Sequence, residues 1–274
     1  MKPFLKWPGG KYRQVKRICR QLGTGERLVE PFVGSAAIFL NSDFRHYLLA
    51  DSNADLINLY RRLQREGEGF IRYCKRYFRQ EKNEKDVYYR LRDRFNNSGD
   101  KRQKAALFLY LNRHGYNGLC RYNASGEFNV PFGRYDRPYF PEKEMYYFHE
   151  KSARAEFIHA NFIATMEQVT TGDVVYCDPP YAPLSRTAYF TDYASGGFSW
   201  DHQMELAGRA AELSRQGNKV VISNHDIDSI STLYEENGAD MDRFKVRRTI
   251  SCRADNRVRV GELLAVFQPP AVLP

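Results

Sequence analysis

Hydrophobic and polar positions along the chain predict short buried strands separated by helices. The stretch "DVVYCDPP" holds a run of apolar and β-branched residues from Val174 to Tyr176. A short continuous apolar run is typical of a strand that is covered on both faces. Two prolines follow, and because proline has no backbone N–H, the predicted strand ends at Asp178. We therefore expect a central strand with an acid at its carboxyl end.

More strands are predicted before and after this one. Leu28 and Val29 form a short buried strand, residues 31–35 turn the chain, residues 36–40 begin a helix, and residues 47–50 form a second strand. In open parallel sheets, ligands bind in the crevice outside the carboxyl ends of the strands.

The alternation resumes after Asp178. A helix is predicted over residues 201–216, with Met204, Ala207 and Ala211 at helical spacing. The run "KVVISNHD" then predicts a buried strand that ends in polar residues, and "FKVRRTIS" and "ELLAVF" predict an antiparallel pair at the far edge of the sheet.

The segment from about residue 54 to residue 141 has a different texture. It is basic, aromatic and rich in asparagine, with helical stretches such as "KAALFLYLNR" and no buried strand run. We interpret it as an insertion into the sheet domain. The predicted domains are therefore 1–53 with 142–274, and the inserted 54–141.

Composition sets the broad class of the protein. The 274 residues are 42% hydrophobic, which is enough for a full core. We expect a cytoplasmic protein, because no apolar run approaches a membrane span and the opening segment lacks the apolar core of a signal peptide. The five cysteines and six histidines are scattered, so neither a disulfide framework nor a metal site is predicted.

The positive charge is concentrated in one segment. The formal net charge is +9, and between Tyr60 and Lys104 there are 15 basic and 7 acidic residues. Such a surface is suited to a polyanion. A solvated helical surface explains many charge runs equally well, and the charge alone leaves both interpretations open.

Two acids lie at successive predicted strand ends. Glu30 precedes the turn "EPFVGS", where Gly34 allows a ligand to approach the backbone. Asp51 follows 21 residues later, and an acid at that place in a nucleotide-binding fold typically binds ribose hydroxyls. Both acids could instead cap helices or turns.

The N-terminal stretch "FLKWPGGK" places Trp7 beside a Gly-Gly turn flanked by Lys6 and Lys11. A flat ring and an ammonium group suit an apolar cofactor edge and an amino-acid carboxylate. A tryptophan near a terminus also commonly seals a core.

The ordered segments "KWPGGK", "EPFVGS", "LADSNADL", "FLYLNRHGYNGLCRYNASGEFNVPFGRY", "VVYCDPPYAPLS" and "ISNHD" resemble the Dam family of DNA adenine methyltransferases. The resemblance runs from Phe4 to about Phe267. It implies a Rossmann-like catalytic domain of α/β class, S-adenosylmethionine as methyl donor with S-adenosylhomocysteine as product, an inserted mainly helical target-recognition domain, and methylation of adenine in GATC. One departure is Ala36, where the family usually has a second glycine in Phe-x-Gly-x-Gly.

The resemblance also assigns roles to residues. The cofactor would be bound by Trp7, Lys11, Glu30, Phe32, Gly34, Asp51 and Asp178. The catalytic motif would be Asp178, Pro179, Pro180 and Tyr181.

This motif has a chemical logic. The adenine amino nitrogen is a poor nucleophile because its lone pair is delocalised into the ring. If the Asp178 carboxylate and the Pro179 carbonyl each accept one amino hydrogen, the lone pair can point at the methyl sulfonium. Tyr181 supplies a stacking face for a base flipped out of the duplex. Cys177 points away on the strand and is expected in the core, and no metal is required.

A DNA-reading set is predicted on a loop after a helix. Arginine reads guanine bidentately, an apolar side chain contacts the thymine methyl, and an aromatic ring can replace lost stacking. Any one member could instead contact phosphate or pack within the loop. The residues on this loop are Arg113, Tyr116, Asn117, Leu119 and Arg121, and "FNVPFGRY" adds Pro131 and Arg134. Lys6, from the N-terminal stretch, is the remaining predicted DNA-binding residue.

Two alternatives stay open at this point. One is an amino-methyltransferase that acts on cytosine or on RNA, and the other is a catalytically weak DNA-binding regulator with the same fold. The expected partner is double-stranded DNA, with no membrane, and the expected state is a monomer in solution, with more than one copy on DNA conceivable. The expected origin is bacterial or phage.

Overall fold

The computed structural model describes residues 1–181, 198–247 and 259–270. Within these ranges the strands, β1 to β7, are Arg27–Glu30, His46–Asp51, Ala155–His159, Val174–Cys177, Lys219–His225, Asp240–Arg247 and Arg259–Phe267. The α-helices, α1 to α9, are Val15–Leu22, Ala54–Glu66, Glu68–Lys75, Lys85–Asn97, Lys101–His114, Glu142–Ser152, Phe162–Met166, Trp200–Arg215 and Asp228–Glu236.

The strands form one seven-stranded sheet in the order β3-β2-β1-β4-β5-β7-β6. Strand β4 runs parallel to β1 and β5, with Val175 opposite Val29 and Val220. The antiparallel pair β6 and β7 ends the sheet beyond β5. The predicted Rossmann-like α/β sheet is confirmed, with β4 central and an antiparallel pair at one edge. Residues 248–251 of the predicted "FKVRRTIS" strand lie outside the described ranges.

The strand order reverses between β1 and β4. Strands β2 and β3 continue the sheet on one side of β1, whereas β5 continues it on the other side of β4. In doubly wound sheets this switch point is where a crevice opens at the carboxyl ends of the strands. Glu30 ends β1, and Asp178 directly follows β4.

The chain divides into two compact units, which we describe separately. The first comprises Met1–Lys16, Val33–Asp43 and Leu48–His159, and the second comprises Arg17–Phe32, Phe44–Tyr47 and Ala160–Pro274. The segment 54–141 lies wholly within the first unit, together with α6 and β3. The compact unit is therefore larger than the predicted insertion, and a recognition domain at 54–141 stays a prediction.

The first unit is built on an aromatic core around α5. Every residue from Ala105 to Leu111 is buried, as expected for a helix that is apolar on all sides. Asp100 caps this helix by accepting hydrogen bonds from the backbone N–H groups of Arg102 and Gln103. The rings packed in this unit include those of Tyr60, Phe70, Tyr88, Phe95, Phe108, Tyr110, Phe128 and Phe148.

Two local predictions are wrong. The helix expected from residue 36 is replaced by a 3-10 turn at Phe39–Asn41, because Ala36 has a left-handed φ of 60° and the Asn41 side chain donates to the Ala37 carbonyl. In the second unit, α8 forms as predicted, but Met204, one of the apolar residues expected at helical spacing, is 44% exposed, and the buried face contains Gln203 instead.

No helix in the described ranges is long and apolar enough to cross a membrane.

Candidate active site and nucleic-acid surface

In the first unit, the glycine turn is tied to the end of β2. The Val33 N–H donates to the Ala50 carbonyl at 2.8 Å, and the Gly34 N–H donates to Asp51 Oδ2 at 3.1 Å. The other carboxylate oxygen, Oδ1, accepts from the Asn53 N–H at 2.9 Å. Burial raises the pKa of Asp51, and these two backbone donors oppose that effect. The result is a partly buried carboxylate at a strand end, held in one orientation.

Trp7 covers this turn. Gly34 has a φ of 45°, and a Cβ added there would lie 2.9 Å from Trp7 Nε1, so only glycine fits. The Gly34 carbonyl accepts a 2.6 Å hydrogen bond from the Tyr60 hydroxyl. The buried Lys11 ammonium donates to the Gly9 carbonyl at 2.6 Å, within the Gly-Gly turn that follows Trp7. The structure thus brings Trp7, Gly34 and Asp51 together, with Lys11 on the adjoining turn.

The second unit holds the other predicted cofactor and catalytic residues. Glu30 ends β1 with 2% exposure, and Phe32 stacks on Phe162 at 5.6 Å between ring centroids. Because β1 and β4 are paired in parallel, Glu30 and Asp178 both lie at the end of the sheet formed by the carboxyl ends of these strands. The predicted break after β4 is confirmed, since the strand ends at Cys177, whose side chain is fully buried.

Residues 178–181, which we call the DPPY loop, are anchored at their first member by β5. The Ser223 hydroxyl donates to Asp178 Oδ1 at 2.9 Å, and the Tyr176 hydroxyl lies 2.9 Å from the same Ser223 oxygen. A hydroxyl can accept one hydrogen bond while it donates another, so this chain of three groups orients the carboxylate. Sequence reasoning missed Ser223.

The rest of the DPPY loop is contacted by Gln203 of α8 and by His225 at the end of β5. Gln203 Nε2 donates to the Pro180 carbonyl at 3.2 Å. The edge of the Tyr181 ring packs against the His225 ring, 4.7 Å between centroids and 77° between planes. Burial, followed by the Asp178 charge, raises the pKa of the Tyr181 hydroxyl well above its usual value. The available signal was the polar run "SNH" inside an otherwise apolar strand.

The predicted DNA-reading residues come together on an irregular hairpin of the first unit, defined here as residues 115–134 and called the reading hairpin. Its arms pair through the bridges Gly115 to Phe132 and Tyr122 to Phe128. Hydrogen bonds from Tyr116 N to the Pro131 carbonyl (2.8 Å) and from Asn129 N to the Arg121 carbonyl (3.0 Å) join them further. Six predicted residues lie on it: Tyr116, Asn117, Leu119, Arg121, Pro131 and Arg134.

Several of these side chains are open to solvent. Tyr116 is 47% exposed, and Asn117, Arg121, Pro131 and Arg134 are also exposed. The Arg121 guanidinium is oriented by a residue that the sequence did not single out. Its Nε donates to Asn129 Oδ1 at 2.7 Å, and its Nη2 donates to the Asn129 carbonyl at 3.3 Å. The outer edge, Nη1 with the second Nη2 hydrogen, points away from these two bonds.

Lys6 and Arg113 lie outside the reading hairpin. Lys6 is fixed by Asn112, which accepts from its N–H at 2.9 Å and donates to its carbonyl at 2.7 Å. Its ammonium lies 3.9 Å above the Tyr135 ring, and burial and then the Arg113 charge lower its pKa. Arg113 is in the last turn of α5 rather than on a loop, and its Nε donates to the Tyr139 carbonyl at 3.0 Å.

Comparison with known proteins defines the class. Residues 7–250 match the family of D12 class N6 adenine-specific DNA methyltransferases, and the chain belongs to that family. It is therefore an adenine-specific DNA methyltransferase, as the sequence predicted.

Individual proteins of known sequence or structure are also similar to this chain. The chain is 51% identical over 267 residues to a DNA adenine methylase of Vibrio cholerae serotype O1, with 97% of this chain and 96% of that protein covered. It is 49% identical over 271 residues to a DNA adenine methylase of Escherichia coli K12, covering 99% and 97%. A solved structure described as the delta-N METTL16 MTase domain aligns over 97% of this chain and 82% of its own at 9% identity, with a TM-score of 0.44.

Proposed function

We propose that the protein transfers the methyl group of S-adenosylmethionine to the N6 nitrogen of adenine in duplex GATC, acting on a base flipped out of the helix. The observation that carries this proposal is the DPPY loop, whose Asp178 carboxylate is oriented by Ser223 at the carboxyl end of a central strand. The GATC site follows the resemblance to the Dam family. We further propose that the protein works on bacterial or phage DNA in the cytoplasm.

The residues present fit the cofactor. The Gly34 turn leaves no space for a side chain because Trp7 covers it, so the turn presents bare backbone beside the indole ring. In the first unit, Asp51 is a partly buried acceptor suited to ribose hydroxyls, and Lys11 suits a carboxylate. In the second unit, Glu30 and Phe32 are the other residues of the proposed set. When bound, S-adenosylmethionine supplies an electrophilic methyl group on a sulfonium, whose positive charge is lost as the methyl group leaves.

The protein's own part is to hold the amino group. Asp178 Oδ2 and the Pro179 carbonyl would each accept one N6 hydrogen, which allows the nitrogen to pyramidalise and aim its lone pair. Pro180 keeps the turn rigid, and Tyr181 offers a face for stacking. After transfer, the nitrogen carries an extra proton, and Asp178 is the nearest proposed acceptor for it.

The test is protection of plasmid DNA. Plasmid from a methylation-deficient bacterial host expressing this chain should resist an endonuclease that cuts only unmethylated GATC, and it should be cut by one that requires methylated GATC. The Asp178→Ala protein is the matched control and should give the opposite pattern. Methylated adenine found outside GATC would contradict the proposed site, and no methylated adenine would favour the weak regulator. Methylated cytosine or RNA would favour the other alternative.

A further inference from the structure

We propose that Gln203, Asn224 and Tyr234 form a positioning network that fixes the DPPY loop for methyl transfer, an inference that rests on the function proposed above. The three side chains come from α8, β5 and α9, and their exposures are 1%, 0% and 0%. Polar side chains buried this deeply are costly unless they are hydrogen bonded. Here their hydrogen bonds lead to the loop.

The orientation of the Gln203 amide follows from its partners. Gln203 Oε1 accepts from Asn224 Nδ2 at 3.1 Å and from the Tyr234 hydroxyl at 3.3 Å. The Asn224 amide is fixed in turn, because its Oδ1 accepts from the His225 N–H at 2.9 Å and its Nδ2 lies 3.1 Å from the Tyr234 hydroxyl. Rotating the Gln203 amide by 180° would place its amino group against the Asn224 amino group and its oxygen against the Pro180 carbonyl oxygen. Gln203 Nε2 must therefore face the Pro180 carbonyl.

This bond makes the two proline carbonyl groups of the loop different. The Pro180 carbonyl is bound by Gln203 at 3.2 Å, whereas no described residue donates a hydrogen bond to the Pro179 carbonyl. Holding the Pro180 carbonyl fixes the peptide plane between Pro180 and Tyr181. The network also reaches Tyr181, since Asn224 Oδ1 accepts from the His225 N–H, and the Tyr181 ring packs edge-to-face against the His225 ring. We infer that it sets both the Pro179 acceptor and the stacking ring.

The first test is Gln203→Met, which keeps the length of the side chain and removes both polar groups. We expect kcat for methyl transfer to fall at least about 10-fold, with Kd for duplex DNA and for S-adenosylmethionine within about 3-fold, because small misplacements of reacting groups lower rates strongly. Loss of a residue that only stabilises the fold would not lower kcat while leaving both Kd values unchanged.

The matched control is Asn218→Leu. Asn218 is also a buried amide, 1% exposed, which donates to the Leu213 carbonyl at 3.2 Å and accepts from the Asp173 N–H at 3.1 Å. It lies just before β5, at the opposite end of that strand from His225. It should lose comparable stability without losing kcat. Rates are compared where circular dichroism shows each protein to be folded.

A second variant separates the network from Gln203 alone. Tyr234→Phe removes the hydroxyl that contacts both amides, so kcat should fall by several-fold. If the two residues act through one network, Gln203→Met and Tyr234→Phe combined should cost less than the product of their separate effects. Multiplicative effects would contradict a shared network.

The outcomes distinguish the two proposals. Wild-type protein is assayed first on GATC duplex, and a lack of methyl transfer would contradict the proposed function, and with it this inference. Active wild-type protein with an unchanged kcat in Gln203→Met would overturn the network alone. Equal losses of kcat in Gln203→Met and Asn218→Leu would also overturn it.

Discussion

At the scale of single residues, the two oxygens of Asp178 serve different purposes. Oδ1 accepts the Ser223 hydroxyl at 2.9 Å, which fixes the plane of the carboxylate. The proposed chemistry asks Oδ2 to accept an adenine amino hydrogen. An acceptor that is oriented before the substrate arrives loses less rotational freedom when the hydrogen bond forms.

We predict that Asp178→Ala lowers methyl transfer at least about 100-fold, the usual loss for one well-placed polar group at a reacting centre. Asp178→Asn should retain more activity than the alanine variant, because an amide oxygen still accepts a hydrogen bond. The measurement is single-turnover methyl transfer, with duplex Kd as the control, which should stay within a few-fold. Equal activity of the alanine and asparagine variants would show that hydrogen-bond acceptance by this side chain does not contribute to methyl transfer.

Ala36 is a second informative residue. Its φ of 60° lies in the left-handed region that glycine adopts without strain, and it occupies the position where the Dam family usually has glycine. The side chain is fully buried, so its methyl group is enclosed by protein. The extra methyl is therefore expected to affect stability more than cofactor binding.

We predict that Ala36→Gly changes the free energy of unfolding by less than about 1 kcal/mol, because relief of about 1–2 kcal/mol of left-handed strain is offset by about 0.8 kcal/mol for the lost burial of the methyl group and about 0.4–1 kcal/mol for the added entropy of the unfolded chain. Urea unfolding at constant m-value measures this, and Kd for S-adenosylmethionine should be unchanged. Gly34→Ala is the contrasting variant and should destabilise, since a Cβ there meets Trp7. A loss of more than about 1 kcal/mol in Ala36→Gly would mean that the methyl group's packing outweighs the strain.

At the scale of elements, the reading hairpin presents a pre-oriented arginine. Asn129 on one arm engages Nε and one Nη2 hydrogen of Arg121 on the other. The remaining pair of donors, on Nη1 and Nη2, has the spacing that matches guanine O6 and N7. An arginine held in this way keeps its fork geometry without ordering on binding.

We predict that Arg121→Ala lowers methylation of GATC at least about 10-fold and changes sites with the outer guanine replaced far less, because a bidentate contact is worth about 1–3 kcal/mol of discrimination. Methyl transfer is measured on GATC and on each single-base variant at one salt concentration. An arginine that contacts phosphate would weaken all sequences alike. Unchanged ratios between GATC and its guanine variants would exclude Arg121 as the reader and point to Lys6.

Elements were predictable where local pattern decides them. The apolar run at Val174 and Val175 and the prolines after Asp178 were sufficient to predict β4 and its end, and the apolar content of α5 was sufficient to predict that helix. The helix predicted from residue 36 was wrong, although the sequence there is as apolar as a helix core. The helix is prevented by the left-handed φ of Ala36, which the apolar sequence around it does not reveal.

The site was predictable only in part, for a physical reason. Motif residues such as Asp178 and Asp51 are named by their places at strand ends, which a sequence pattern reveals. Their partners Ser223 and Gln203 lie 45 and 25 residues away from Asp178 along the chain and meet the loop only after the sheet has formed. A polar residue in a buried strand shows that a partner is needed, without saying which one.

At the scale of the whole molecule, the excess positive charge is unevenly compensated. Five of the 15 basic residues between Tyr60 and Lys104 form ion pairs with carboxylates: Arg62, Arg72, Lys75, Arg102 and Lys104. The others form no ion pair with a described residue, among them Arg79 and Lys82. Unpaired basic side chains are the ones available to neutralise phosphates.

Arg79 and Lys82 lie close to the stretch that follows the reading hairpin. Asn83, the next residue after Lys82, donates to the Tyr135 carbonyl at 2.7 Å and to the Asp136 carbonyl at 3.1 Å. This contact places the two cations in the first unit near the end of the hairpin that carries most of the predicted DNA-reading residues. A duplex read by Arg121 would have its flanking phosphates within reach of such a surface.

We predict that affinity for duplex DNA falls steeply with salt, and that Arg79→Ala with Lys82→Ala lowers the slope of log K against log salt by about 2, since each phosphate neutralised contributes about 0.9. The preference for GATC over its single-base variants should not change, because phosphate contacts carry no sequence information. Arg72→Ala is the control, since Glu68 pairs with Arg72 at 3.0 Å on the same helix, and its slope should stay close to that of wild type. A slope that the double substitution leaves unchanged would remove these two cations from the DNA contact. A flat response in wild type would mean that the basic segment faces solvent.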